Sequence, residues 1–177
     1  YTKPHMGAVW SDEHKYRTWL AVELAACEAH SQLGNIPPAA VELIRQKADF
    51  NIRRIDEIEE QVRHDVIAFL TNVAEYVGAE ARYVHLGMTS SDLLDTALAL
   101  LIREAGQILL QDIDRLLAVL KKQDLAYRLT PCIGRSHGVH AEPTSFGLKF
   151  ALWYDEMGRN RLRLERAIEA NSGGMIS

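Results

Sequence analysis

The sequence is poor in the residues that would commit it to a specialised class. It has only two cysteines, Cys27 and Cys132. They form no C-x-x-C pair, so no disulfide framework is expected, and the usage suits a reducing cytosol. Aromatic residues make up 7% of the chain, which argues against a base-stacking platform. Nothing in the net charge of -4 points to polyanion binding, so no nucleic-acid partner is expected. No apolar run is long enough for a membrane span and no secretory pattern opens the chain, so no membrane partner is expected and a cytoplasmic location is. The P-loop, the G-x-G-x-x-G turn and the G-x-S-x-G elbow are all missing. Without them there is no motif for phosphate cradling, dinucleotide binding or serine hydrolysis, and no cofactor is expected.

What is present is helical periodicity. Hydrophobic residues make up 47% and charged residues 25% of 177 positions, an ordinary globular balance in a chain long enough to bury a core. Almost no stretch alternates as a strand would, and the spacing predicts an all-α fold. A first helix is expected from Ser11 as N-cap, with Asp12 and Glu13 at its positive end. Tyr16, Leu20, Leu24 and Cys27 mark its buried stripe, Gly34 ends it, and Pro37-Pro38 opens a short second helix. Residues 51–61 read as a solvated helix. Asp65 reads as the N-cap of a helix burying Val66, Phe69 or Leu70, Val73 and Val77 and closed by Gly78. From near Ser91 one stripe runs through Leu94, Leu98, Leu101, Ala105, Ile108, Leu109, Ile113, Leu116 and Leu120. Leu93, Ala97 and Leu117 broaden it. This is ~35 residues, roughly 50 Å at helical rise. So long and broad a face needs several neighbours, as in a long bundle or an oligomer core. Pro131 to Gly134 breaks the chain, a polar loop follows to Glu142, and Pro143 is placed to start another long helix. Phe146, Phe150, Trp153 and Met157 are expected on its buried face. Residues 1–90 are expected to form a helical domain and 91–177 the start of a long-helix bundle. The chain opens at Tyr1 and stops after Gly173-Gly174-Met175-Ile176-Ser177, and both ends read as cuts in a longer protein.

Three segments concentrate chemistry. Arg63-His64-Asp65 falls where one helix stops and the next begins. Free N–H groups, the helix dipole and a guanidinium there suit a carboxylate or phosphate, although an N-cap with surface neighbours explains the same residues. In His85-Leu86-Gly87-Met88-Thr89-Ser90-Ser91-Asp92, Thr89 and Asp92 have capping-box spacing. Three successive hydroxyls exceed what a cap needs and could hold a carboxylate, with Gly87 allowing close approach of backbone; an elaborate cap remains the other reading. The third segment, Gly134-Arg135-Ser136-His137-Gly138-Val139-His140-Ala141-Glu142-Pro143, crowds two histidines, an arginine and a glutamate between long helices. Histidine there can give or take a proton near neutral pH. His137 and His140 could instead join His64 and His85 at a metal. Gly138 and Pro143 disfavour a helical H-x-x-H face, and no cysteine or carboxylate pair completes a zinc set, so no metal is expected. His14 and His30 read as helix-surface residues without a role.

In their order and placement these segments resemble the fumarase/aspartase superfamily, and within it the adenylosuccinate lyase family. The matching stretches are Tyr1 to Glu13, Arg63-His64-Asp65-Val66, HLGMTSSDLLDT from His85, and GRSHGVHAEPTSFGLK from Gly134. The cycloisomerase branch shares the TS-x-D-x-x-DT pattern, but its loop is not expected to read HGVHAEP. The resemblance implies β-elimination of fumarate from a succinylated nucleotide, a central helical bundle and a homotetramer whose active sites draw on three subunits. It implies that His137 is the general acid and that Ser136 stands where the family usually has threonine. Thr89 and Ser90 would hold a succinyl carboxylate. Arg63, His64 and Asp65 would bind substrate, His64 orienting the acid or the ligand. Tyr1 would contribute to a phosphate site whose arginine precedes it, and His85 would face the substrate. The general-base serine would lie beyond Ser177, so the 177 residues alone are expected to be inactive. A different superfamily lyase, a cycloisomerase, or a non-catalytic oligomerisation module are the competing expectations.

Overall fold

The computed structural model describes residues 1–176. It is a succession of helices with one small hairpin: α1 (Pro4–Val9), α2 (Asp12–Gln32), α3 (Pro38–Lys47), α4 (Ile52–Val62), α5 (Asp65–Val77), a 3-10 turn (Gly78–Tyr83), α6 (Ser90–Tyr127), β1 (Pro131–Ser136), β2 (Val139–Ser145) and α7 (Phe146–Ala170). The all-α expectation holds. Contacts divide the chain into two compact units, one of Tyr1–Ile102 with the tail from Ser172, the other Arg103–Asn171.

The first unit is built as the periodicity requires. Ser11 caps α2, its Oγ accepting the His14 N–H at 3.2 Å, and Asp12 and Glu13 lie in the first turn. The α2 stripe then buries Tyr16, Leu20 and Cys27. Tyr16, Trp19, Phe50 and Phe69 form an aromatic cluster, with the Tyr16 and Phe69 rings stacked at 5.6 Å and Trp19 edge-on to Phe69 at 5.5 Å. Burial pushes the Cys27 thiol up to about 11. That cysteine is core material, its Sγ donating to the Tyr83 carbonyl at 3.6 Å. α4 is helical as expected but solvated on one face only, because Ile55 and Ile58 are buried. The α4–α5 corner is pinned by Asn72, which is 1% exposed. Its Oδ1 accepts the Asn51 N–H at 2.8 Å and its Nδ2 donates to Glu75 Oε2 at 3.0 Å. Arg54 donates to the same carboxylate and holds it below the usual range.

The long helix α6 spans 38 residues, about 57 Å at helical rise. Its buried positions include Leu93, Ala97, Leu101 and Ala105, while Leu98, Leu109 and Leu116 are exposed. In the second unit Gly106 lets Ile168 of α7 come close, since a Cβ there would stand 2.5 Å from Ile168 Cγ1. Arg161 of α7 pairs with Asp114 of α6 at 2.6 Å. At the other end a Cβ on Gly147 would stand 2.6 Å from the Asp124 carbonyl oxygen.

Three sequence expectations are corrected. The N-cap of α5 is His64, not Asp65. Arg63 turns left-handed (φ 54°), so the chain reverses in two residues and α5 starts one position earlier. The polar loop after Pro131 is an antiparallel hairpin that runs through Pro143, and α7 begins at Phe146. Pro143 is tolerated because a two-stranded sheet consists of edges, where a missing N–H costs no ladder bond. Finally, the Phe146–Met157 face of α7 is not buried within the chain. Phe146 is 36% and Trp153 48% exposed, because α6 covers α7 on one side and leaves the rest bare.

Candidate active site

Each chemical segment sits at a junction between elements, held by local partners. In the first, the His64 Nδ1 accepts the Ile67 N–H at 3.4 Å and lies 3.5 Å from Asp65 Oδ1, which accepts the Val66 N–H at 2.7 Å. Arg63 and His64 are exposed. The first turn of α5 therefore presents a guanidinium and an imidazole beside a helix N-terminus.

In the second segment, Asp92 is 1% exposed and its Oδ2 accepts the Thr89 N–H at 2.8 Å. This is the return arm of the expected capping box, and it leaves Thr89 exposed and Ser90 half-buried at the start of α6. Gly87 has φ 71° and lies against the His30 ring. His30 is thus half-buried rather than on the surface. His85 is anchored by Glu23 of α2. The His85 N–H donates to Glu23 Oε2 at 2.9 Å and its Nδ1 lies 2.6 Å from Oε1. Glu23 is 1% exposed; burial raises its carboxyl above the usual value while the His85 hydrogen bonds pull it back. Sequence reasoning missed Glu23, although a signal existed: it follows Tyr16 and Leu20 at i+7 and i+3, an acid in a core slot.

The third segment is the hairpin. His137 (φ 49°) and Gly138 (φ 75°) are the two turn residues between paired Ser136 and Val139, the both-positive pattern of a type I′ turn. A bulge interrupts the register between Ile133 and Arg135; a Cβ on Gly134 would meet the Glu142 carbonyl oxygen at 2.9 Å. Arg135, Ser136, His137 and His140 are all exposed. Tyr1 is fully exposed at the start of the chain. Among the described residues no three His, Cys, Asp or Glu side chains come together as a metal set, and no helix is long and apolar enough to cross a membrane. A cavity of about 470 Å³ runs beside the second segment. Its lining is mostly apolar, including Val22, Ala26 and Met88, which does not suit an anionic ligand.

Backbone conformation links the three segments. Among the described residues, the non-glycine residues with positive φ are Arg63, His85 and His137, one in each segment. A left-handed side-chain-bearing residue costs roughly 1–2 kcal/mol, and such strain concentrates where a side chain must be aimed. Arg63→Gly is therefore expected to raise stability by about 0.5–1 kcal/mol, the relief being partly offset by unfolded-chain entropy. Denaturant titration checks this, and a loss of stability would contradict the strain at this position.

The sequence profile of a lyase family matches residues 1–177. The chain belongs to this lyase family. Along its full length this member of the lyase family is 52% identical to an adenylosuccinate lyase from Synechocystis and 48% identical to one from Bacillus subtilis. It spans 41% of the length of each of these relatives. It superposes on a fumarate lyase from Mesorhizobium with a TM-score of 0.87 at 28% identity, over 93% of this chain and 40% of that one. It superposes on a 3-carboxy-cis,cis-muconate lactonizing enzyme from Pseudomonas putida with a TM-score of 0.86 at 28% identity, over 94% and 39%. The family resemblance read from the three segments is borne out.

Proposed function

We propose that the full-length protein carrying this chain is an adenylosuccinate lyase, releasing fumarate from adenylosuccinate to give AMP, and from the succinylated aminoimidazole carboxamide ribotide, in purine biosynthesis in the cytoplasm. The observation that carries the reading is the coincidence of strain with chemistry. The left-handed Arg63, His85 and His137 fall one in each candidate segment, in a chain about half identical to adenylosuccinate lyases.

The reaction breaks the bond between a succinyl carbon and the nucleotide nitrogen. A base takes a proton from the carbon next to a carboxylate, and the charge that develops spreads onto that carboxylate. Thr89 and Ser90, with the N–H groups opening α6, are the donors for its oxygens, and donors fixed before the reaction stabilise that charge at little reorganisation cost. His137 protonates the departing nitrogen, with Ser136 beside it. Arg63, His64 and Asp65 bind substrate at the start of α5, His64 orienting the acid or the ligand. Tyr1 contributes to the phosphate site and His85 faces the substrate. The general base is supplied by sequence outside these 177 residues, so the isolated chain is inactive. The exposed apolar faces of α6 and α7, including Leu109, Leu116, Leu152 and Trp153, support a homotetramer in which other copies cover them.

Similarity to a lactonizing enzyme keeps cycloisomerisation as the competing chemistry, but at 28% identity against 48–52%. The test offers the full-length protein adenylosuccinate and carboxymuconate separately. Fumarate from the first and no lactone from the second is the expected result; lactone formation without fumarate would reverse the assignment.

A further inference from the structure

Among the described residues Glu23 and Asp92 are the acids only 1% exposed, and Glu23 has no part in the proposed mechanism. It sits on the core face of α2 among Tyr16, Trp19, Leu20 and Cys27, where an unneeded carboxylate would be costly. Both of its oxygens are committed to one residue. Oε2 accepts the backbone N–H of His85 at 2.9 Å, and Oε1 lies 2.6 Å from Nδ1 of the same ring. The backbone donor can point only one way, so the carboxylate cannot swing away. An ionised carboxylate only accepts, which leaves Nδ1 as the donor. In the neutral ring the lone pair then lies on Nε2, the pattern in which a second group sets a histidine's tautomer. His85 itself is held left-handed at φ 65°, so Glu23 fixes a strained backbone and a ring orientation together. Holding a loop would need only the backbone hydrogen bond; the short contact to Nδ1 goes further.

We propose that Glu23 is a positioning residue for the active site, locking the His85 ring so that Nε2 offers its lone pair toward the substrate. The proposal rests on the reading of His85 as a substrate-facing residue under the function above. It assigns Glu23 no contact with substrate.

Glu23→Gln tests it with little change of shape. The amide oxygen must accept the His85 backbone N–H, so the amide NH₂ faces Nδ1. Nδ1 must then be the acceptor, and the ring proton moves to Nε2. In the full-length enzyme this variant is expected to lower kcat/KM for adenylosuccinate about 10²-fold, in the range found when a histidine loses its orienting partner, with its melting temperature kept. In a double-mutant cycle with His85→Asn, adding Glu23→Gln is expected to cost nothing further, because Glu23 acts only through His85. Wild-type kcat/KM in Glu23→Gln would overturn the proposal, as would losses that multiply in the double variant. If the wild-type protein leaves adenylosuccinate intact, the functional reading falls instead. Ring ¹⁵N signals of His85 then decide the pairing: a proton that moves from Nδ1 to Nε2 in Glu23→Gln sustains it, and the same tautomer in both proteins ends it.

Discussion

In the full-length protein, His137→Ala is expected to lower kcat for adenylosuccinate about 10³-fold, the middle of the range for removing a general acid or base. The elimination expels a nitrogen that leaves poorly as an anion, so losing the proton donor falls on the chemical step. KM is expected to change little, because the proton is delivered as the bond breaks. Stability is expected to stay about the same, because alanine keeps the Cβ that φ 49° strains. His137 is exposed at the tip of a type I′ turn and no packing is lost. His137→Gly, which suits φ 49° better than any side chain, separates the two effects: it relieves the turn and still lacks the acid. Steady-state kinetics alongside thermal melting checks both variants. If His137→Ala turned over within about tenfold of wild type, short of the usual general-acid range, His137 would not be the acid.

The largest effect on stability is expected at Phe69. Its side chain is 0% exposed, and its ring meets Tyr16, Trp19 and Phe50 at centroid distances of 5.6, 5.5 and 6.2 Å. Truncating such a residue removes its transfer free energy and leaves a cavity that neighbouring rings cannot collapse to fill. Phe69→Ala is expected to cost about 3–5 kcal/mol. Denaturant titration followed by tryptophan fluorescence reads this loss, since Trp19 lines the cavity. Phe69→Leu, keeping most of the volume, is expected to cost less than about 1.5 kcal/mol. A loss below 1 kcal/mol in Phe69→Ala, well under the roughly 3–5 kcal/mol of a rigid core site, would mean that the cluster does not pack as described.

The helices and their stripes were legible because period and punctuation agree. Ser11, Pro38 and Gly78 stand at helix ends, and Val66, Phe69, Val73 and Val77 share one buried face. The hairpin was not legible. Its strands carry polar residues on both faces and a bulge at Gly134, so no two-residue alternation marks them. The one local sign was His137-Gly138, which plays the part more often taken by Asn-Gly. The α7 face was read as buried because an apolar stripe states only that cover is needed. Phe146 and Trp153 remain uncovered by this chain. At the site, composition picked out the three segments, but their shared left-handed residues are a property of conformation. Glu23 was overlooked for a physical reason: a stripe is read by its apolar members, and an acid within one is informative only once its partner, 62 residues away, is placed beside it.

An enzyme that eliminates fumarate from adenylosuccinate, as proposed for the protein carrying this chain, must release AMP with it. The most direct measurement is the product yield from adenylosuccinate incubated with the purified full-length protein at neutral pH, fumarate and AMP being quantified separately. Both products are expected in equal amounts, from the full-length protein and not from the 177-residue chain. Adenylosuccinate recovered intact from the full-length protein, or AMP without matching fumarate, would contradict it.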